Sequence, residues 1–434
     1  MPQLPVVAAG FSLRKTTQPK GCGYQFPPIT DRLVIRQAFV EKVSQLLPDL
    51  SSPLLITNFD GQNENYRMFT LQTDHVAPSF LLILPSGKIY AFVSPIETSL
   101  LSALKDKIEI VAYASSSEII PLIKKMIGQL PVVAAGFSLR DKLVVIPSEA
   151  RNLTLLAEYS DDYNFDIIKY SWLKKLKKEF SLKPARDVIF PLRTIKTPSE
   201  INLIQQSVTA AFEILGKVQK KIKAGVTEMD IYNLIYFETR KKNAENSFKS
   251  IIASGSRAIN PHPVRATDKK LKNGELLIID IGVSFYGYTS DITRTFLVGG
   301  DIREHRFYKI SREMFTEMES IGLSKIYPFE LAQKMKVISK KYKVDIYEKH
   351  AYGHGIGTAV HDVYSISTRR IDTKENKNPP LSPFKKGGLK GDFLMKFQDG
   401  MAFAFEPGFY TKKIGFRWEN NYFVKDGRAV RFSE

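Results

Sequence analysis

Apolar and polar positions divide the 434-residue chain into two differently patterned parts. Between Gly23 and Phe190, short β-branched and apolar runs alternate with helical periodicities. LLITN (54–58), FLLILP (80–85), KIYAFVS (88–94) and IEIVAYA (108–114) predict strands, with Pro85-Ser86-Gly87 turning the second into the third. ITDRLVIRQAFVEKVSQLL (29–47) and SEIIPLIKKMIG (117–128) predict amphipathic helices. The pattern changes at FPLRTIKTPSE, where Thr197, Pro198 and Glu200 form a capping box with proline at the first helical position. Ile201, Ile204, Val208, Ala211, Leu215, Val218 and Ile222 then mark one helix face, and Gly225 is expected to close it. Thr227 and Asp230 cap a second helix through about Lys241, IIASG ends a strand, and residues 301–343 are expected to be mostly helical. Two apolar hairpins complete this part, in 276–296 and in 401–423.

Both hairpins carry paired carboxylates. In LLIIDIGVSFYGYTSDITRTF, a turn between Phe285 and Tyr286 makes Asp280 and Asp291 direct cross-strand partners, with Cβ atoms roughly 5 Å apart. Like charges that close repel, so one must take up a proton or a divalent cation must lie between them. The alternative is that one Asp sits in a turn and the hairpin is structural. In MAFAFEPGFYTKKIGFRWENNYF, a turn centred on Lys412 and Lys413 makes Glu406 and Glu419 direct opposites, and a second such pair favours the cation. Between the hairpins, KHAYGHGIGTAVHD sets His350, His354 and His361 among Gly353, Gly355 and Gly357, where backbone can approach a ligand. Four of the six histidines (His262, His350, His354, His361) lie in or beside these segments. A lone histidine is otherwise a satisfied core group or a surface residue, which is the reading for His75.

The length exceeds what one small core organises, so two domains are expected. The 43% hydrophobic and 25% charged fractions are those of a soluble globular protein. The single cysteine, Cys22, forms no internal disulfide and fits a reducing compartment. No apolar run reaches the roughly 18 residues of a membrane span. LPVVAAGF is short and its basic residues (Arg14, Lys15, Lys20) follow it, the wrong order for a secretory signal, so a cytoplasmic protein without a membrane partner is expected. The net charge of +18 raises nucleic acid as a partner. The lysines are spread along the chain, WLKKLKKEF (172–180) reads as the solvated face of a helix, and no nucleic-acid-binding signature accompanies them, so none is expected.

QLPVVAAGFSLR at 3–14 recurs unchanged at 129–140. Structural repeats diverge at the surface, so this copy reads as translated repetitive DNA. The expected organisation is a disordered extension (1–22), a first domain (23–190) with a surface insertion at 129–153, and a second domain (191–434) with an inserted Pro/Gly/Lys-rich loop at 372–396.

With Asp280, Asp291, His354, Glu406 and Glu419 in that order, inside LIIDIG, GYTSDITRTF, HGIGTAVHD, FEPGFY and FRWEN, the second domain resembles the pita-bread metallopeptidases. That group holds aminopeptidase P, prolidase, methionine aminopeptidase and creatinase. LLITNFDGQNENYRMFT is similar to the creatinase-type N-terminal domain, which methionine aminopeptidases lack. The resemblance implies an α/β (α+β) protein: a creatinase-type N-terminal α/β domain, then a pita-bread catalytic domain with an antiparallel sheet flanked by helices. It implies two divalent metal ions, Mn²⁺ first, with Co²⁺, Zn²⁺ or Fe²⁺ as alternatives. Asp291 and Glu419 would bridge them, Asp280 would chelate one, and His354 and Glu406 would complete the other.

The implied activity is an aminopeptidase that hydrolyses the N-terminal Xaa-Pro bond of peptides with proline at the second position, by a metal-bridged hydroxide. Glu406 would act as general base, and His361 would donate a hydrogen bond to the developing oxyanion. His262, counted with the catalytic residues, and His350 would line the pocket around the residue after the cut. Arg417 would support the ligands or anchor a substrate carboxylate. A prolidase acting on dipeptides is the neighbouring reading, and a catalytically inactive scaffold of the same fold the reading from another class. Relatives imply a homo-oligomer, a dimer. This chain departs from the pattern in a short Glu406–Glu419 hairpin, in Trp418 where an aliphatic residue is usual, and in asparagines at 420 and 421 where an acidic pair is common.

Overall fold

The computed structural model describes residues 29–50, 52–58, 68–70, 79–115, 117–128, 154–157, 170–184, 186–263, 265–368 and 395–433. The expectations for 1–22, for His75, for 129–153 and for 372–394 lie outside the described residues.

The first part is built on α1 (Ile29–Leu46) and a mixed sheet of β1 (Leu54–Asn58), β2 (Ser79–Ile83), β3 (Ile89–Val93), β4 (Glu109–Ala112), β5 (Thr154–Ala157) and β6 (Ser181–Pro184), in the order β4-β3-β2-β1-β5-β6. Every position of β2 and β3 is buried, which is why they read as continuous apolar runs. Alternate residues serve opposite faces. Leu81, Ile83, Ala91 and Val93 pack with Ile35, Phe39 and Val43 of α1. Phe80, Leu82, Tyr90 and Phe92 pack with Ile119, Ile123 and Met126 of α2 (Ile119–Gly128) and with Leu176 of α3 (Tyr170–Glu179).

From α4 (Arg186–Thr194) the chain enters the second part. The Thr197–Glu200 capping box starts α5 (Pro198–Gln219), which ends at Gln219, earlier than the sequence suggested. Lys221 N and Ile222 N bond back to Val218 O (2.8 Å) and Gln219 O (3.2 Å), tightening the last turn into i→i−3 bonds. Gly225, at φ +92°, falls in the turn beyond, where its N–H meets Leu271 O at 3.0 Å. The second capping box starts α6 (Glu228–Lys241).

The strands that follow are β7 (Glu245–Asn246), β8 (Ile251–Ser254), β9 (Leu276–Ile281), β10 (Val283–Phe285), β11 (Tyr288–Thr289) and β12 (Ile292–Leu297). Helices α7 (Arg306–Ser320) and α8 (Pro328–Lys341) precede β13 (Gly353–Gly355), β14 (Asp362–Ser365), β15 (Ala402–Phe405), β16 (Gly408–Tyr410), β17 (Gly415–Arg417), β18 (Asn420–Lys425) and β19 (Arg428–Arg431). They form antiparallel sheets ordered β12-β9-β8, β11-β10-β7, β14-β13-β15-β18-β19 and β16-β17. Helix α5 covers β10 and β11, while Met314, Phe315 and Met318 of α7 and Leu331 and Met335 of α8 share a core with Phe403, Phe405 and Tyr422. Among the described residues no helix is long and apolar enough to cross a membrane.

The two carboxylate hairpins differ in how their registers compare with expectation. In the first, Phe285 pairs with Tyr288, and the loop residues Tyr286 and Gly287 have φ of 51° and 80°. Positive φ at both loop positions is what a two-residue type I′ turn requires. The turn is therefore centred one residue later than expected, and Asp280 pairs with Thr293, not Asp291. A two-residue displacement keeps the face, so Asp280 and Asp291 become diagonal neighbours on the same side. In the second hairpin Tyr410 pairs with Gly415 around Lys412 and Lys413, and Phe405 pairs with Asn420 below. Glu406 and Glu419 fall opposite each other between those two paired stretches.

Candidate metal centre

The main chains of Asp280, Glu406 and Glu419 are fixed by backbone pairing with neighbouring segments. Asp280 lies on the central strand β9, between Ile251 of β8 and Thr293 of β12. Glu419 N donates to Thr293 O (3.1 Å), which ties the second hairpin to the first, and Glu406 N donates to Tyr352 O (2.8 Å) at the head of β13. His354 sits in β13 between β14 and β15. Glycine flanks it for a steric reason. A Cβ at 353 would lie 2.1 Å from Ala404 O, and one at 355 would lie 2.8 Å from Asp362 O.

These segments converge. Ligand atoms of Asp280, Asp291 and Glu419 lie within 4.8 Å of one another, and so do those of Asp291, His354 and His361, so Asp291 belongs to both groups. His354 Nε2 is 3.6 Å from Asp291 Oδ2 and 3.8 Å from Glu406 Oε1. Its Nδ1 faces Gly355 O at 3.1 Å, which favours the proton there and leaves the Nε2 lone pair turned toward the carboxylates. His361 stands beside it, ring centroids 4.0 Å apart, on the exposed side of the group. The sequence pointed to His361 as a donor only; its place in the second group also makes it a potential ligand.

The electrostatics are those of a site built for cations. Burial, then Glu419, Asp280 and Glu406, hold the Asp291 carboxyl well above the usual range, and burial with Glu406 and Asp280 does the same for Glu419. Burial lifts Glu406 to about 8. Burial also lowers His354 to about 3, so its imidazole is neutral. Thr293 Oγ1 donates to Glu419 Oε2 (2.7 Å), whereas Glu419 Oε1 and Asp280 Oδ1 are buried without a hydrogen-bond partner. Orphaned carboxylate oxygens at such depth cost several kcal/mol. A divalent cation satisfies them and removes the mutual repulsion together, and carboxylates with one imidazole suit hard or borderline ions. The donor set fits two such ions.

Behind the carboxylates lies Arg417, 2% exposed. Its guanidinium donates to Asp280 Oδ2, to Thr293 Oγ1 (3.1 Å), to Tyr410 Oη (2.8 Å) and to Pro261 O (3.1 Å). The last bond fixes the loop that bears the exposed His262. His350 Nε2 lies 3.0 Å from Tyr410 Oη, and its Nδ1 is 2.7 Å from Ala351 O and 3.4 Å from Glu406 Oε2. Sequence reasoning missed Thr293, Tyr410 and Asn421. Thr293 could have been found from its two-residue spacing to Asp291, which puts both on one side of the extended chain that enters β12.

The family model described as metallopeptidase family M24 matches residues 202–426. The Xaa-Pro dipeptidase of Pyrococcus furiosus is 29% identical over 273 residues, 62% of this chain and 72% of that protein. The Xaa-Pro dipeptidase of Pyrococcus horikoshii is 30% identical over 253 residues, 57% of this chain and 65% of that protein. Among solved structures, the prolidase from Pyrococcus furiosus superposes with a TM-score of 0.67 at 23% identity, covering 90% of this chain and 99% of the other. An X-Pro aminopeptidase from Thermotoga maritima gives 0.67 at 22% identity, covering 88% and 95%. At these identities the structures speak for the fold, which is the expected α/β pita-bread arrangement. The match over 202–426 covers more than half of the sequence and contains the converging carboxylates and His354, and the chain belongs to metallopeptidase family M24.

Proposed function

We propose that this metallopeptidase cleaves the N-terminal Xaa-Pro bond of peptides, with Asp280, Asp291, His354, Glu406 and Glu419 as ligands of two divalent ions, Mn²⁺ first. One observation carries the reading. Carboxylates from two hairpins and an imidazole from the strand between them converge, and within the group Asp280 Oδ1 and Glu419 Oε1 are buried without a hydrogen-bond partner. Ions bound there would supply Lewis acidity toward the scissile carbonyl and the attacking water.

The protein's own part follows from its geometry. Glu406, between His350 and His354, is the base that takes the proton of the water and returns it to the leaving nitrogen. Burial holds its carboxyl at about 8; with cations bound beside it the carboxyl would be drawn down, and Glu406 would then be free to accept a proton near neutrality. His361, exposed beside His354, donates to the carbonyl oxygen as it gains charge. His262 and His350 flank the residue after the cut. For Arg417, burial and its bonds to Asp280, Tyr410 and Pro261 support a positioning role over capture of a substrate carboxylate. We take residues 23–190 as the N-terminal, creatinase-type domain and 191–434 as the catalytic domain. The lone cysteine supports a cytoplasmic setting, and the dimer follows the family resemblance.

A second reading, hydrolysis of Xaa-Pro dipeptides, is favoured by the names of the two archaeal relatives. Assay of Xaa-Pro against Xaa-Pro-Xaa peptides with added Mn²⁺ separates the two. Hydrolysis should vanish with chelator and in Glu406→Gln; activity surviving either treatment sinks the assignment.

A further inference from the structure

A buried lysine from the N-terminal helix has no part in the chemistry above. Lys42 of α1 is 0% exposed. Its Nζ lies 2.6 Å from Glu200 Oε2 and donates to Leu192 O (2.7 Å), Gln45 Oε1 (2.8 Å) and Ile195 O (3.3 Å). Leu192 and Ile195 stand at the C-terminal end of α4, where carbonyls lack helical partners and a cation is favoured. Glu200 belongs to the first turn of α5. One ammonium thus stitches the end of one helix to the start of the next. Burying such a pair costs desolvation that its attraction barely repays, so stability alone does not account for it.

Two arms run from this stitch to one place. Along the first, Glu200 Oε1 accepts from Tyr288 Oη (2.7 Å), and the adjacent Thr289 directs both its N–H (2.9 Å) and its Oγ1–H (3.0 Å) to Gly357 O. Along the second, Arg193 and Lys196, beside the carbonyls that Lys42 holds, grip Asp362 Oδ1 (2.7 Å) and Oδ2 (3.2 Å). Gly357 and Asp362 bracket His361. Their approach is close enough that a Cβ at 357 would lie 2.5 Å from Asp362 Oδ2 and 2.8 Å from Lys196 Cε.

We infer that Lys42 is a positioning residue for the 357–362 turn, holding His361 in place against His354 through Glu200, Tyr288 and Thr289 on one side and through Arg193, Lys196 and Asp362 on the other. For its effect on catalysis, the inference rests on the peptidase reading above. Its structural half does not.

Lys42→Met leaves Glu200 charged and unpaired, so the test also uses Lys42→Met/Glu200→Gln, which removes the stranded charge. Hydrogen exchange is followed in peptides covering 286–291 and 354–364, alongside melting temperature, Mn²⁺ affinity by calorimetry and Xaa-Pro-Xaa hydrolysis. The double variant is expected to melt nearer the wild type than the single one. It should still exchange at least about five-fold faster in both peptides, as local opening there becomes easier. Its kcat/KM should stay about ten-fold down with Mn²⁺ affinity within about two-fold, as expected when a donor to the transition state is misaligned and the ligands are intact. Wild-type exchange in both variants overturns the inference, and so does faster exchange with full activity. If the wild type itself hydrolyses no peptide, the peptidase reading fails separately, and the exchange arm still decides whether Lys42 holds the turn.

Discussion

Asn421 clamps the backbone of Asp291. Its side-chain oxygen accepts from Asp291 N (2.9 Å), and its side-chain nitrogen donates to Asp291 O (2.8 Å). Both partners are buried, and Asp291 is the residue common to the two potential ligand groups. A carboxylate at 421 could accept but not donate. This gives a physical reason for an asparagine where the resembling families often carry an acid.

Asn421→Asp should therefore be harmful although it moves toward that pattern. It strands Asp291 O and adds a charge beside carboxyls already raised by burial and by mutual repulsion, at a cost of about 1–3 kcal/mol for the lost bond alone. The expected outcome is a lower melting temperature and Mn²⁺ affinity reduced about ten-fold or more, read by calorimetry. Wild-type affinity in this variant would mean that the clamp does not set the site.

The metal-free protein should lose stability with rising pH between about 6.5 and 8. Burial lifts Glu406 from an ordinary 4.5 to about 8, with Asp280 raising it further and Arg417 opposing. The folded form then binds that proton more tightly than the unfolded chain does. Its stabilisation is complete below about 4.5 and is lost as pH climbs through about 8. Asp291 and Glu419 are shifted in the same direction. His350 and His354, lowered to about 3 by burial, oppose this only below their unfolded value of 6.5, where the unfolded chain takes up protons. Melting in chelator should thus fall from pH 6.5 to 8, and the rise produced by Mn²⁺ should grow over the same window. A chelated melting temperature that climbs across it would count against the buried carboxylate cluster.

How much of this was legible follows from where each signal sits. The Glu406–Glu419 register could be read because Lys412 and Lys413 break a continuous apolar alternation at one point. In SFYGYT the apolar character runs through the turn, and only Gly287 marks the positive φ that sets the centre. The face of Asp280 and Asp291 survived because a hairpin shift by two residues preserves it. Asn421, bonded to Asp291, depends on how the two hairpins dock, and Tyr410 on how the second hairpin meets His350; no local pattern encodes either. Lys42 was hidden for a related reason. On an amphipathic helix a lysine reads as solvated, and only tertiary structure reveals the acceptors that let it be buried.

Trp418 should prove to be a stabilising residue with little influence on metal. The Arg294 guanidinium lies 4.6 Å from the Trp418 ring and 5.0 Å from Phe212, while it donates to Glu419 O (2.6 Å), Thr293 O (2.9 Å) and Asn420 Oδ1 (2.8 Å). Trp418→Leu, the more usual residue type, removes one aromatic face but none of those bonds. A loss of about 1–2 kcal/mol is expected by denaturant unfolding, with Mn²⁺ affinity unchanged within about three-fold. A large drop in affinity would show that the stacked ring, not the hydrogen bonds, holds Glu419.

Tyr410 joins the buried arginine to the pocket. Its hydroxyl accepts from Arg417 (2.8 Å) and faces His350 Nε2 (3.0 Å), whose Nδ1 is directed at Ala351 O (2.7 Å). With the proton on Nδ1, the Tyr410 O–H donates to Nε2 and fixes both the tautomer and the tilt of the ring. Gly408 leaves the room for this, since a Cβ there would lie 2.6 Å from that nitrogen. Tyr410→Phe strands an arginine N–H and frees the ring, at a cost of about 1–3 kcal/mol in stability. Because His350 lines the proposed pocket, KM for an Xaa-Pro-Xaa peptide should rise about five-fold or more while kcat falls less. Arg417 keeps its bonds to Asp280 and Thr293, so Mn²⁺ affinity should hold within about three-fold. The reverse result, normal KM with weakened metal binding, would mean that the hydroxyl works through Arg417 on Asp280 instead of through His350 on the substrate.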